Sequence, residues 1–226
     1  MVSLKSSIQS MNLGAQVAQR LREMILRRDL QDGMRLLEEN LAGEFGVSRG
    51  PIRDALRQLE REGLVTVRNR RVYVTGLSSQ DIRQLYDLRK ALELLAIDEA
   101  VRLGTAEQFT QMAELVDRMR TAAVANDHGA FADADVAFHE QLFTISANHR
   151  LSDVWHQYLP ILATILQSAV GQEEQLHNSA QAHGTLLEMI VSGDDAVAAE
   201  ASDHIDRARD RMISAYERLS SAEVVE

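Results

Sequence analysis

The chain has 226 residues, of which 45% are apolar and 4% aromatic, with only two prolines; this size and balance suit one large or two small, mainly α domains. It holds no cysteine, which excludes disulfides and cysteine-ligated zinc, and no apolar run reaches the roughly 18 residues of a membrane span. The net charge of −10 is uneven: residues 1–75 carry 13 Lys+Arg against 9 Asp+Glu, and 76–226 carry 11 against 25, so only a small N-terminal unit is suited to meet phosphates.

The opening stretch MVSLKSSIQSMNLG has one lysine and no apolar block of signal-peptide length. Residues 1–12 are therefore expected to be a flexible tail on a cytoplasmic protein. From 13 to 30, Val17, Leu21, Met24 and Ile25 recur at helical spacing, with Leu30 closing the segment. Asp32-Gly33 marks a turn. A short helix over 37–45 turns Leu41, Ala42 and Phe45 inward, and Gly46 supplies a tight turn after it. A third helix starts with Ser48 as N-cap and Pro51 in its first turn, where the missing amide is tolerated. On it, Ile52, Ala55, Leu56 and Leu59 share one face and Arg49, Arg53 and Arg57 another; Gly63 ends it. Val65 and Val67, then Val72 and Val74, alternate with polar residues around an RNRR tip, which predicts a two-stranded hairpin.

Helix, sharp turn, basic helix and basic hairpin make up a winged helix-turn-helix over 13–76. Arginine suits its exposed face because the guanidinium fork grips guanine O6 and N7, or a phosphate. Arg49 and Arg53 fall where base edges are met. Ser48 and the first-turn amides of Gly50 and its neighbours suit a phosphate. Arg70 and Arg71 at the hairpin tip reach for phosphate or the minor groove.

Beyond a boundary at Gly76–Ser79, with Ser79 read as a cap, the chain is helical by period. Six helices are expected, at about 79–103, 106–125, 129–146, 149–170, 173–192 and 194–219, forming an antiparallel bundle over 79–220. Asp135 and His139 stand one helical turn apart. His183 lies ten residues before Gly193 and His204 eleven after it, so antiparallel neighbours bring them level. Asp135, His139, His183 and His204 then converge in a bundle core, a common place for metal sites. Their chemistry suits one divalent transition ion per chain, Zn, Ni, Co, Fe or Mn, with open positions for a small carboxylate. His128, His149, His156 and His177 read as ordinary surface histidines. Arg89 and Glu93 form an i, i+4 pair, either a plain internal partnership or an effector-binding pair in which the arginine meets a ligand carboxylate.

The segment LxExxLAxxFGVSRxPxRxALxxLExEGLV, beginning at Leu36, resembles the GntR family of bacterial regulators. The matches LRxxLE at 88–93, DxxFH at 135–139, Asn148, His183, Gly193-Asp194 and His204 resemble the FCD effector domain of its FadR subfamily, with the six-helix form of the VanR-type branch. The resemblance implies a bundle that binds small organic acids through a metal held by Asp135, His139, His183 and His204, with Arg89 at the acid. It also implies a homodimer on a palindromic operator in double-stranded DNA, most often a repressor released by its effector. The sequence departs from the family pattern at Arg71, where a wing glycine is usual, and at Gly50, where threonine is usual. A metal-sensing regulator, a metal-dependent hydrolase and a bundle serving only dimerisation remain alternatives.

Overall fold

The computed structural model describes residues 5–168 and 173–222. The chain divides into two compact units, Met1–Ser78 and Ser79–Glu226. In the first, helices α1 (Lys5–Leu26), α2 (Glu38–Phe45) and α3 (Arg49–Arg61) accompany strands β1 (Arg35–Leu36), β2 (Val65–Arg68) and β3 (Arg71–Val74).

Helix α1 corrects the tail expected over 1–12: it begins at Lys5, and only residues 1–4 of that stretch lie outside the described residues. No glycine or proline interrupts residues 5–13, so nothing local stops the helix there. It ends at Leu26 rather than Leu30. Arg27-Arg28-Asp29 offers no apolar side chain to bury, Arg28 turns left-handed at φ 62°, and Leu30 returns to the core through its N–H bond to the Met24 carbonyl.

Helix α3 packs on α1, α2 and β2. Ile52, Ala55 and Leu59 of α3 are fully buried, as are Ala18 and Leu21 of α1. The turn between α2 and α3 passes through Gly46 at φ 64°, a left-handed position that a side chain would strain. Ser48 occupies the N-cap position with extended backbone, but its side chain makes no cap hydrogen bond.

The sheet has the order β1-β3-β2, all antiparallel. Strand β1 is absent from the sequence reading because two residues are too few to show a period. Arg68 pairs with Arg71 across a two-residue turn in which Asn69 (φ 52°) and Arg70 (φ 61°) are both left-handed, the type I′ geometry that matches strand twist. This explains the short wing without its usual glycine. Val65 and Val74 are buried at the base of the hairpin, whereas Val67 is exposed near the tip.

A buried ion pair crosses this unit. Arg22 of α1 donates from Nε and Nη2 to the two carboxylate oxygens of Glu62, each at 2.7 Å, and both side chains are 1% exposed. Gln19 accepts from Arg22, and Gln58 donates to Glu62. Glu62 thus belongs to the interior and is no surface partner of the α3 arginines. Arg22→Met leaves a buried carboxylate unmatched and is expected to cost about 3–5 kcal/mol in urea unfolding. The double change Arg22→Met with Glu62→Leu should recover most of that loss.

The second unit is built from α4 (Ser79–Leu103), α5 (Ala106–Val124), α6 (His128–Ser146), α7 (His149–Ser168), α8 (Glu173–Ser192) and α9 (Val197–Ala222). Helix α4 packs on α6 and α9, and α5 packs on α6 and α8. Thr105 and Gln108 form a reciprocal capping box, Asp127 caps α6, and Asn148 Oδ1 accepts from the Leu151 N–H at the start of α7. Ser79 is no cap: it is the first helical residue and donates to Glu217. Helix α9 starts at Val197, three residues later than expected, because Gly193 is left-handed and the Asp194 carboxylate accepts from the Ala196 N–H. The break expected at Gly171 lies outside the described residues. Phe138, Leu142, Met112 and Met119 are among the fully buried side chains of the core, and Phe143 stacks on Trp155 at 4.4 Å.

Candidate metal centre and nucleic-acid interface

Helices α4, α6, α8 and α9 each send polar side chains into the bundle interior. His139 comes from α6, His183 from α8 and His204 from α9; all three are buried, with one ligand nitrogen from each within 4.8 Å of the others. The rings of His183 and His204 stand 4.5 Å apart, so the two helices do bring them level. Asp135, one turn before His139, places Oδ1 3.2 Å from His183 Nε2 and Oδ2 3.9 Å from His139 Nε2.

The hydrogen-bond partners fix which nitrogens face inward. His183 Nδ1 lies 2.8 Å from the Ser179 carbonyl, which can only accept, so the proton sits on Nδ1. Glu93 Oε2 lies 2.8 Å from His139 Nδ1, close but off the axis of a well-formed hydrogen bond. A carboxylate there repels a lone pair and again holds the proton on Nδ1. With Nδ1 of each ring turned to an outer acceptor, the two Nε2 atoms face each other across 3.2 Å, beside the Asp135 carboxylate. Two imidazole nitrogens and a carboxylate oxygen this close need a proton or a metal cation among them. A divalent transition ion meets that need, and tethered Nδ1 atoms are the usual outer support of metal-binding histidines.

Electrostatics agree with this. Burial alone would push the Asp135 carboxyl up, but His183, His139 and Arg89 outweigh it and hold Asp135 well below the usual carboxylate range. Burial likewise raises Glu93, and Arg89 with His139 overrides it, leaving Glu93 at about 2. Burial lowers His139 despite Glu93, and lowers His204 well below its ordinary value with help from His183 and His139. At neutral pH these two rings are therefore uncharged, the form that ligates.

A cavity of about 530 Å³ opens onto this cluster and is lined by Tyr86, Arg89, Asp135, His139, His204 and Arg211, among others. Arg89 lies across the Tyr86 ring, 5.4 Å from its centroid, and its Nε donates to Glu93 Oε1. Glu93, expected beside Arg89 at an effector, does not line the cavity: it is fully buried between Arg89 and His139. His128, read as an ordinary surface residue, and Tyr86 and Arg211, which carried no sequence signal of their own, all line the cavity.

In the first unit, Ser48, Arg49, Gly50, Arg53, Arg57, Arg70 and Arg71 are all exposed. Arg49 pairs with Glu39 at 3.1 Å and Arg53 Nε with Glu38 at 2.7 Å, so α2 carboxylates hold both arginines at the start of α3. Arg57 is 3.9 Å from Asp54, a loose pair.

Comparison with known proteins agrees with both units. Residues 13–74 match the bacterial regulatory proteins of the gntR family, and residues 84–207 match the FCD domain. The gluconate operon transcriptional repressor of Bacillus licheniformis is 30% identical over 154 residues, 68% of this chain and 63% of that one. The chain thus spans a little under two thirds of the length of that relative. The transcriptional repressor GlaR of Escherichia coli K12 is 28% identical over 80% of this chain and 86% of its own. Among solved structures, Escherichia coli McbR/YncC superposes with a TM-score of 0.68 at 20% identity, covering 96% of this chain and 99% of that one, a likeness of fold. These relatives are transcriptional regulators rather than enzymes, which sets aside the hydrolase alternative. With the gntR-family match over its helix-turn-helix and the FCD match over more than half its length, the chain belongs to the GntR family of bacterial regulatory proteins, among the members that carry an FCD domain.

Proposed function

We propose that this protein is a cytoplasmic DNA-binding transcriptional repressor, homodimeric on a palindromic operator, released by a small organic acid that binds beside a divalent metal in the FCD unit. The observation that carries the effector half is the meeting of His139 and His183 Nε2 at 3.2 Å with Asp135 and His204 at the edge of a cavity. Asp135, His139, His183 and His204 would hold the ion, and Glu93 and the Ser179 carbonyl would orient two of the rings. Once bound, the ion supplies a Lewis-acidic site for a ligand carboxylate. Arg89 lines the same cavity and is placed to share that carboxylate.

For the DNA half, Arg49 and Arg53 at the exposed start of α3 support base reading; Ser48, Gly50, Arg57, Arg70 and Arg71 support phosphate contact. The gluconate operon repressor, similar over 68% of this chain, supports a sugar-acid or related carboxylate as signal. Effector release requires that the acid bind one arrangement of the protein more tightly than the other.

The test is operator binding by fluorescence anisotropy, with metal and carboxylate varied separately. Release by a carboxylate that chelator treatment abolishes and re-added metal restores is the expected result. Release by metal alone would replace this reading with a metal sensor.

A further inference from the structure

The metal reading leaves two arginines of the cavity wall, Arg211 and Arg218, without a counter-charge among the described residues, and only Arg211 is half-buried. Arg211 is half-buried on α9, and among the described residues it makes no ion pair or hydrogen bond. Its neighbours differ. Arg207 is paired with Glu200 at 2.8 Å, Arg209 with Asp206 at 2.8 Å and Asp210 at 3.0 Å, and Arg89 with Glu93. Arg218, further along α9, is exposed. Burial lowers the Arg211 guanidinium from its ordinary value, with Tyr86 and Asp135 opposing that only in part. A half-buried guanidinium without a partner is costly, and it is retained only where something meets it.

Its place on the helix shows what that something faces. His204, Ala208, Arg211, Ala215 and Arg218 follow one another at alternating four- and three-residue steps, and all line the cavity. His204 and Arg211 are therefore on one stripe of α9, about 10 Å apart along its axis. The long arginine side chain spans part of that gap. The cavity thus has a metal-ligand end at His204 and a cationic end at Arg211.

Charge accounting gives the ligand class. An imidazole that ligates a metal does so as a neutral donor, and Arg89 and Arg207 are neutralised by Glu93 and Glu200. A divalent ion against the Asp135 carboxylate leaves one positive charge, the cavity-wall Asp210 is matched by Arg209, and half-buried Arg211 adds a second. We propose that the effector is a small dianion, with one carboxylate at the metal end of the cavity and a second anionic group held by Arg211. This rests on the effector reading above and specifies its ligand.

The probes are linear dicarboxylates from succinate to suberate, each beside its monoamide. They are titrated calorimetrically into full-length, metal-loaded protein. At least one dianion is expected to bind about tenfold or more tighter than its singly charged partner, as a charge-assisted bond to a guanidinium allows. Arg211→Gln should erase that preference while leaving metal content and the affinity of the monoanion nearly unchanged. Arg211→Lys should keep part of it, and Arg218→Gln, on the same stripe but exposed, should keep all of it. The inference is overturned if no dianion is preferred, or if the preference survives Arg211→Gln. A preference that depends on Arg211 but persists in protein stripped of metal would sustain the dianion and remove the metal reading instead.

Discussion

His183→Ala should reduce the metal content of protein purified without a metal-affinity tag from about one ion per chain to near zero. The expectation follows from where His183 sits. It is fully buried, its Nδ1 is held by Ser179, and its Nε2 lies 3.2 Å from both His139 Nε2 and Asp135 Oδ1. Removing it takes away the central donor and leaves His139 and His204 without the third imidazole. The effect should also appear as stability. A ligand held at about a hundred times its dissociation constant adds roughly 2.7 kcal/mol, which in a unit of this size raises the melting temperature by several degrees. Wild-type protein should therefore melt several degrees higher with added Zn²⁺ than with chelator, and His183→Ala should show no such difference. A wild type that purifies without metal, and neither takes up added ion nor shifts its melting point, would remove the metal from the mechanism. Glu93→Gln is a graded control: it leaves every ligand in place but weakens the hold on His139 Nδ1, so a loss of about 10–100-fold in metal affinity is expected.

The parts of this site that could be read from sequence are those fixed by helical period. Asp135 and His139 are one turn apart on any helix, and His183 and His204 are level because each lies about the same distance from the Gly193 turn. That symmetry tolerated the late start of α9 at Val197. The role of Glu93 was hidden for a different reason. Its spacing from Arg89 showed the pair, but its contact with His139 depends on how α4 packs against α6, which no local pattern records. The same holds for Arg22 and Glu62, forty residues apart and each unremarkable in its own helix. Arg211 lies in the run DRARDRM, where it looks like any solvated basic residue; only the cavity wall distinguishes it. In the first unit α2 and α3 followed from apolar period and turn residues, whereas the two ends of α1 did not. The wing tip did not, because a type I′ turn built from Asn69 and Arg70 lacks the glycine that ordinarily announces it.

Arg53→Ala is expected to abolish specific operator binding without unfolding the protein. Arg53 is exposed on α3, opposite the face formed by Ile52, Ala55, Leu56 and Leu59, so its removal opens no cavity in the core. Its side chain is already oriented: Nε donates to Glu38 at 2.7 Å, which leaves the two terminal nitrogens to face a guanine end-on. A good bidentate contact is worth about 1–3 kcal/mol against the wrong base, and the proposed homodimer would make it twice, so the loss should reach about two orders of magnitude or more. Residual non-specific binding should persist, because the phosphate contacts proposed for Arg57, Arg70 and Arg71 would remain. Arg57→Ala gives the contrast. A phosphate contact carries no sequence information, so that change should weaken operator and random DNA alike and reduce the salt slope by about one per lost contact. Both variants should be titrated against operator and scrambled duplex at several salt concentrations, with melting temperature as the folding control. Wild-type operator affinity in a folded Arg53→Ala protein would show that α3 does not read bases through this residue. Equal losses on operator and scrambled DNA would reassign Arg53 to the phosphate backbone.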